Sequence, residues 1–181
     1  MKKVLKWVGI GFAALLVVVI VGVWAMFGTF VKAANIIEKM EDGLYSMEFT
    51  GDYGFDEFLA QGGADSDSSV ADFLVSFLSH GFYKNESKVE TGSFGCSTIY
   101  TQDKDGAYFF GRNYDWTECS AMIVHTKPKN GYESVSTCCT DFLDFGDGYT
   151  PDGSMMERMQ SIAAIYVPLD GMNDQGLMVA D

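Results

Sequence analysis

The chain has 181 residues, with 25 Asp and Glu against 12 Lys and Arg, a net charge of −13. Lys2, Lys3, Lys6 and Lys32 precede every acidic residue, so the chain beyond Lys32 carries 25 acidic groups against 8 basic ones, a net −17. Such a charge cannot neutralise phosphates, which excludes nucleic-acid binding by counterion release and opposes contact with anionic lipid surfaces.

In chain order, a basic tip leads into Val8 to Phe27, twenty residues without a charge. That is about the length a helix needs to cross a hydrocarbon core of ~30 Å. Residues 1–30 therefore predict a cytoplasmic tip and a transmembrane signal anchor, with everything after Phe30 outside by the positive-inside rule. A cleaved secretory signal is the rival. Its apolar stretch is typically shorter, ~7–15 residues, although Val31-Lys32-Ala33 offers a weak cleavage site. Residues 31–95 predict a propeptide or a stalk. Within them, Ala33 to Glu41 predicts a helix running on from the membrane with Gly43 as its stop. Gln61 to Ser69 is small, polar and acidic, which predicts a linker. Ser69 predicts the N-cap of a helix from Val70 to His80, whose Val70, Phe73, Leu74, Phe77 and Leu78 share one face, and Gly81 its end. A helix with one apolar face needs a partner, and either a propeptide over a nascent site or a stalk element would supply one.

From Gly95 to Trp116 the pattern is a β-hairpin. Ser97 to Thr101 is rich in β-branched and aromatic residues, Asp103 to Gly106 is turn chemistry, and Ala107 to Asn113 returns. With a two-residue Asp105-Gly106 loop, Cys96 faces Asp115 and Thr98 faces Asn113. Arg112 and Asp115 are three apart, so they share a face only if the strand ends near Asn113 or a bulge re-aims one of them. Downstream, Ala121 to Lys127 predicts a strand, Asn130-Gly131 a turn, and Tyr132 to Thr137 the returning strand. Counting from that turn puts Cys119 opposite residue 142 and Cys138 opposite residue 123. A disulfide from Cys119 to Cys138 or Cys139 then needs a shifted register or splayed ends, and three free buried thiols are the alternative. His80 and His125 have no triad or zinc motif around them. Met155 to Ile165 predicts a helix with Met155, Met159, Ile162, Ala163 and Tyr166 in one stripe, and Leu177 to Ala180 a final strand.

Two of these segments carry a resemblance. Gly95-Cys96-Ser97 followed by Phe110-Gly111-Arg112-Asn113-Tyr114-Asp115, that is Cys-x(15)-Arg-x(2)-Asp, resembles the choloylglycine hydrolase family, the bile salt hydrolases and penicillin V acylases, with acid-ceramidase-like amidases as more distant relatives. Asp170-Gly171-Met172-Asn173-Asp174-Gln175-Gly176-Leu177 is similar to that family's Asn-Glu-x-Gly-Leu turn, with Asp174 in place of Glu. The resemblance covers residues 95 to 181.

The resemblance implies an α+β N-terminal-nucleophile hydrolase, a four-layer αββα sandwich of which residues 96–181 are the N-terminal part. It implies that cutting the Gly95–Cys96 bond frees Cys96, whose thiol attacks a linear, non-peptide amide and whose α-amine takes the proton. An α-amine titrates near ~7.7–8.0 and a thiol near ~8.5, so each suits acid–base work at neutral pH. By the same resemblance Asp115 orients amine and thiol, Arg112 lies beside the nucleophile, Asn113 belongs to the motif around the site, and Asn173 is a structural turn residue. The family's oxyanion donors fall beyond Asp181. The implied substrates are conjugated bile acids, penicillin V or other N-acyl amides, with no metal or organic cofactor and the membrane met through residues 8–27. Without the resemblance, a lone cysteine at a strand start is usually a small buried apolar residue, and a non-catalytic, membrane-tethered binding or scaffold fragment of the same fold is the alternative.

Overall fold

The computed structural model describes residues 2–84, 95–115, 119–143 and 148–180. Trp116 and the residues immediately before Gly95 lie outside them. In chain order the elements are α1 (Lys2–Asn35), β1 (Glu38–Glu41), β2 (Leu44–Thr50), α2 (Phe55–Ala60), α3 (Asp67–Leu78), β3 (Gly95–Gln102), β4 (Tyr108–Asp115), β5 (Ala121–Lys127), β6 (Ser134–Cys139), α4 (Met155–Ser161), β7 (Asp170–Asn173) and β8 (Met178–Ala180). The architecture is α+β, and the chain divides into two compact units.

The first unit is built from Met1–Thr50, Cys119–Lys127 and Tyr132–Val179. Its six-stranded sheet has the order β1-β2-β5-β6-β7-β8, in which β2 runs parallel to β5 while β1–β2, β5–β6 and β6–β7 pair antiparallel. Strand alternation decides which side chains face the helices. Tyr45, Met47 and Phe49 of β2, Met122, Val124 and Thr126 of β5 and Cys138 of β6 are buried, and their neighbours in sequence on β2 and β5 are more open. Against them pack Phe30, Ala33 and Ala34 of α1, Ile37 just after it, and Ile162, Ala164 and Ile165 of a 3-10 turn at the end of α4. The Phe30 and Phe49 rings lie 5.2 Å apart.

α1 lives in two environments. From Lys6 to Met26 every side chain is exposed, and at ~1.5 Å per residue that stretch is about 30 Å long, enough to cross a hydrocarbon core. It is the one helix among the described residues long and apolar enough to do so. The last turns are instead part of the core. They end at Asn35, not at Glu41 as the sequence pattern predicts, because Arg158 of α4 donates to the Ala34 carbonyl at 3.2 Å and to the Ile37 carbonyl at 3.0 Å. The same guanidinium donates to the Asp152 and Gly153 carbonyls at 2.7 and 3.2 Å. Glu38–Glu41 is then a strand, and Asp42-Gly43 is the two-residue loop of a β1–β2 hairpin in place of a helix stop.

Two helices differ from the sequence expectation at their ends. α3 starts three residues earlier than predicted: Ser66 is the N-cap, and Ser69 is the N3 member of a reciprocal capping box. Its far end is a Schellman motif, with Gly81 N–H donating to the Ser76 carbonyl at 2.7 Å and His80 N–H to Phe77 at 3.0 Å. α4 begins at Met155 as predicted, with Ser154 and Glu157 closing a capping box, but it turns 3-10 from Ile162 to Tyr166. The tighter turn re-aims the apolar stripe so that Ser161, Ile162, Ala164 and Ile165 are the buried members.

The second unit comprises Gly51–Glu118, Pro128–Gly131 and Ala180–Asp181. Here α2 and α3 share a small aromatic cluster: Phe58 and Phe73 lie 5.1 Å apart edge-on, and Phe73 and Phe77 stack at 5.8 Å. A Cβ on Gly54 would meet the Phe77 ring at 2.8 Å, so that approach requires glycine.

Burial predicts an asymmetry along α1. Phe30 is 7% exposed and Phe12 is 66% exposed. Phe30→Ala should cost about 3–5 kcal/mol of stability, whereas Phe12→Ala should stay within about 0.5 kcal/mol. Urea unfolding in detergent, followed by near-UV circular dichroism, reads both; equal effects would contradict the two-environment description.

Candidate functional site

β3 and β4 form a separate two-stranded sheet in the second unit. Its turn sets the register. Asp103 N–H donates to the Ala107 carbonyl at 2.9 Å and Gly106 N–H to the Asp103 carbonyl at 3.2 Å, while Asp103 Oδ1 accepts from the Asp105 and Ala107 N–H groups at 2.9 and 2.8 Å. The loop is therefore three residues, Lys104 to Gly106, with Gly106 at φ 88°. That is a type I turn closed by a left-handed residue, which favours glycine. The two-residue loop expected from the sequence is corrected, and with it the pairing: Cys96 faces Tyr114, Thr98 faces Arg112, and Asp115 faces Gly95.

A slip of one residue exchanges faces. Cys96, Thr98, Arg112 and Tyr114 now share one face, while Ser97, Asn113 and Asp115 share the other. The hydrogen bonds agree with this division. Arg112 Nη2 donates to Cys96 Sγ at 2.8 Å, a diagonal reach within one face, and Asn113 Nδ2 donates to Asp115 Oδ1 on the other. The ladder runs unbroken from Gly95↔Asp115 to Gln102↔Tyr108, so neither a bulge nor an early strand end lets Arg112 and Asp115 share a face. The pairing of the Cys96 and Asp115 side chains expected from the sequence is thus replaced by Cys96 with Arg112.

Tyr114 completes the arrangement. The Arg112 guanidinium carbon lies 5.1 Å from its ring centroid, a cation–π contact that helps fix the guanidinium over the sulfur. Sequence reasoning did not single it out, although its place two residues beyond Arg112 on a strand puts it on the same face.

Asn173 belongs to the first unit, as the last residue of β7, where it opens the β7–β8 turn. Its Oδ1 accepts from the Gln175 and Leu177 N–H groups at 3.1 and 2.9 Å, Gly176 N–H donates to its carbonyl at 3.0 Å, and its own N–H donates to Leu177 at 3.0 Å. This repeats the Asp103 turn bond for bond. The side-chain oxygen is consumed by local backbone, which is the role of a turn residue.

The other cysteines differ from Cys96. All four are thiols. The β5–β6 register puts Cys138 opposite Met122 and Cys139 opposite Ala121, one step from the expected count, and Cys119 hydrogen-bonds to Cys139. Burial, together with that bond, pushes the Cys119 thiol up to about 12, and burial pushes Cys138 up to about 12. Such thiols are poor nucleophiles at neutral pH. His125 is held on the sheet by Glu133 at 3.4 Å and Glu48 at 3.9 Å. Among the described residues, no group of three or more His, Cys, Asp and Glu side chains is placed to hold a metal ion. No protein-family model, no curated protein and no solved structure matches the chain.

The hairpin register can be tested by cross-linking. Tyr100 faces Phe110, so Tyr100→Cys with Phe110→Cys should form a disulfide on mild oxidation, and Tyr100→Cys with Gly111→Cys should not. The reverse pattern, read by mass spectrometry of digests, would restore the two-residue loop and put Cys96 opposite Asp115.

Proposed function

We propose that this chain is the membrane-anchored precursor of a cysteine N-terminal-nucleophile hydrolase that cleaves linear amides, conjugated bile acids, penicillin V or other N-acyl amides among them. The observation that carries the reading is the 2.8 Å contact between Arg112 Nη2 and Cys96 Sγ, made at the spacing the family motif requires. A guanidinium at the sulfur stabilises the negative charge of the attacking thiolate. Cutting the Gly95–Cys96 bond frees the α-amine. That amine takes the thiol proton as sulfur adds to the amide carbonyl, then delivers it to the departing amine, leaving a thioester. Water activated by the same amine hydrolyses the thioester, releases the acid and restores the thiol.

Asp115 has a place in this scheme despite its face. It pairs with Gly95 across the ladder, and the bond to be cut joins Gly95 to Cys96. The Cys96 thiol is on the other face from the Asp115 carboxylate, which bonds to Asn113, so the expected role toward the thiol is lost. Asp115 keeps in this reading only the new amine to orient, while Arg112 holds the sulfur. Gly95 is exposed, with open space where a Cβ would stand, which suits a scissile position. The parent fold in this reading is the αββα sandwich, and the helix-backed sheet of the first unit supplies one α layer and one β layer.

The anchor is uncleaved in this reading. Ala33 and Ala34 are 2% and 0% exposed, so signal cleavage after Ala33 would cut through a packed helix. The acidic domain then lies outside the cytoplasm, opposite the basic tip.

The full-length gene product should show a second N-terminus at Cys96 by sequencing or intact mass; activity from a protein whose Gly95–Cys96 bond stays whole would sink the mechanism. Cys96→Ser should lower turnover roughly a hundredfold or more with little change in folding. Arg112→Met should lower kcat/KM about ten- to a hundredfold, the equivalent of one charge-assisted hydrogen bond of ~1.5–3 kcal/mol.

Protease added outside intact cells should digest the acidic domain and spare the basic tip. A soluble product beginning near Ala34 would mean signal cleavage, and protection of the whole chain would return the domain to the cytoplasm.

A further inference from the structure

We propose that the segment before the cut is never released. Residues 1–50 remain docked as a permanent, non-covalent part of the mature protein and are what holds residues 96 onward to the membrane. This rests on the Gly95–Cys96 cleavage proposed above and extends it from a site to an assembly.

The argument is one of position in the sheet. β2 is an inner strand, flanked by β1 and by β5, and it pairs with β5 over seven residues from Leu44↔Ala121 to Thr50↔Lys127. β5 lies after the proposed cut and β2 before it. The pairing continues beyond the strand, where Ala121 N–H donates to the Gly43 carbonyl at 2.7 Å, and Lys127 meets Glu48 at 3.2 Å. The side chains follow the backbone. Tyr45, Met47 and Phe49 are 6%, 2% and 0% exposed, and Phe30, Ala33, Ala34 and Ile37 are all below 8%. From the other side of the cut, Met122, Val124, Ile162 and Ala164 complete the same core, and Arg158 closes the end of α1 through the Ala34 and Ile37 carbonyls.

Departure of residues 1–50 would strip the backbone edge of β5, uncover one face of its buried side chains and leave the Arg158 guanidinium without two of its acceptors. Each is costly: an unpaired strand edge, exposed apolar area and a lost charged hydrogen bond. The association is non-covalent by composition, because the chain's four cysteines, Cys96, Cys119, Cys138 and Cys139, all lie after Gly95. The segment thus acts as an intramolecular partner that becomes a separate polypeptide, with α1 carrying the membrane contact for both.

The test uses the full chain in detergent with a purification tag at each end and a site-specific protease sequence inserted within 85–94. After cutting by the inserted site, the two fragments should co-purify through either tag under native conditions and separate only in urea. Met47→Ala should lower the urea concentration at which they part, and Glu41→Ala, on the exposed β1, should leave it unchanged. Fragments that separate on native purification would overturn the proposal. Natural processing is read in parallel on a denaturing gel of the chain without the insert. No natural cut together with co-purification after the engineered one would refute cleavage at Cys96 and uphold the docking, so the two failures are told apart.

Discussion

The end of α1 is the constraint on which the first unit depends. A helix leaves its last carbonyls without intrahelical donors, and here the chain must also leave the helix axis at once to enter a sheet. Arg158 resolves both. One planar guanidinium with five donors reaches the Ala34, Ile37, Asp152 and Gly153 carbonyls, joining the helix end to the start of α4. With α1 stopped at Asn35, Ile37 turns into the core and β1 and β2 lie back along the sheet. The same helix thereby has two kinds of surface, apolar all round where it is exposed and one-sided where Phe30, Ala33 and Ala34 meet β2. Small alanines at the contact let the helix approach the sheet closely, and the larger Phe30 fills the gap beside Phe49.

Register plays the equivalent part in the second unit. The chemistry of the hairpin turns on whether its loop has two residues or three, because one residue exchanges every side chain between faces. Asp103 decides it. Its side-chain oxygen takes two backbone donors inside the loop, which stabilises the three-residue form with Gly106 left-handed. Cys96 then meets Arg112 and not Asp115. The chain uses the same device a second time, at Asn173, where an amide oxygen replaces the carboxylate oxygen and the hydrogen-bond pattern is unchanged.

Local signals in the sequence are legible where they have no competitor. The uncharged run from Val8 to Phe27, the hairpin around Asp103 to Gly106, the strand from Ala121 to Lys127 and the start of α4 all stand close to where periodicity and turn residues put them. What fails is arbitration between neighbours. Ser66 and Ser69 are both good caps, and only the backbone direction before α3 makes Ser66 the cap and Ser69 its reciprocal partner. Asp42-Gly43 is a hairpin signal as much as a helix stop, and it is the alternation of Tyr45, Met47 and Phe49 beyond it that decides for the hairpin. The parallel pairing of β2 with β5 has no local signature at all, since it joins strands more than seventy residues apart in sequence. Within the candidate site, the motif points to Cys96, Arg112 and Asp115, but only the turn can say which of them touch.

The four cysteines occupy two kinds of place, which residue type alone does not distinguish. Cys138 and Cys139 are 1% exposed, and Cys119, half-buried, has the Cys139 thiol as its neighbour. Burial favours the neutral thiol at Cys119 and Cys138, both pushed up to about 12, and a thiol held neutral is an inert packing group. Cys96 is the half-buried cysteine with a guanidinium at its sulfur and an aromatic ring holding that guanidinium in place. The contrast comes from location: three cysteines flank or enter β5 and β6, where the core demands small apolar groups, and the fourth begins an exposed strand, where nothing about packing requires a cysteine. A cysteine that packing does not require, in contact with a guanidinium, is the observation on which the proposal of Cys96 as nucleophile rests.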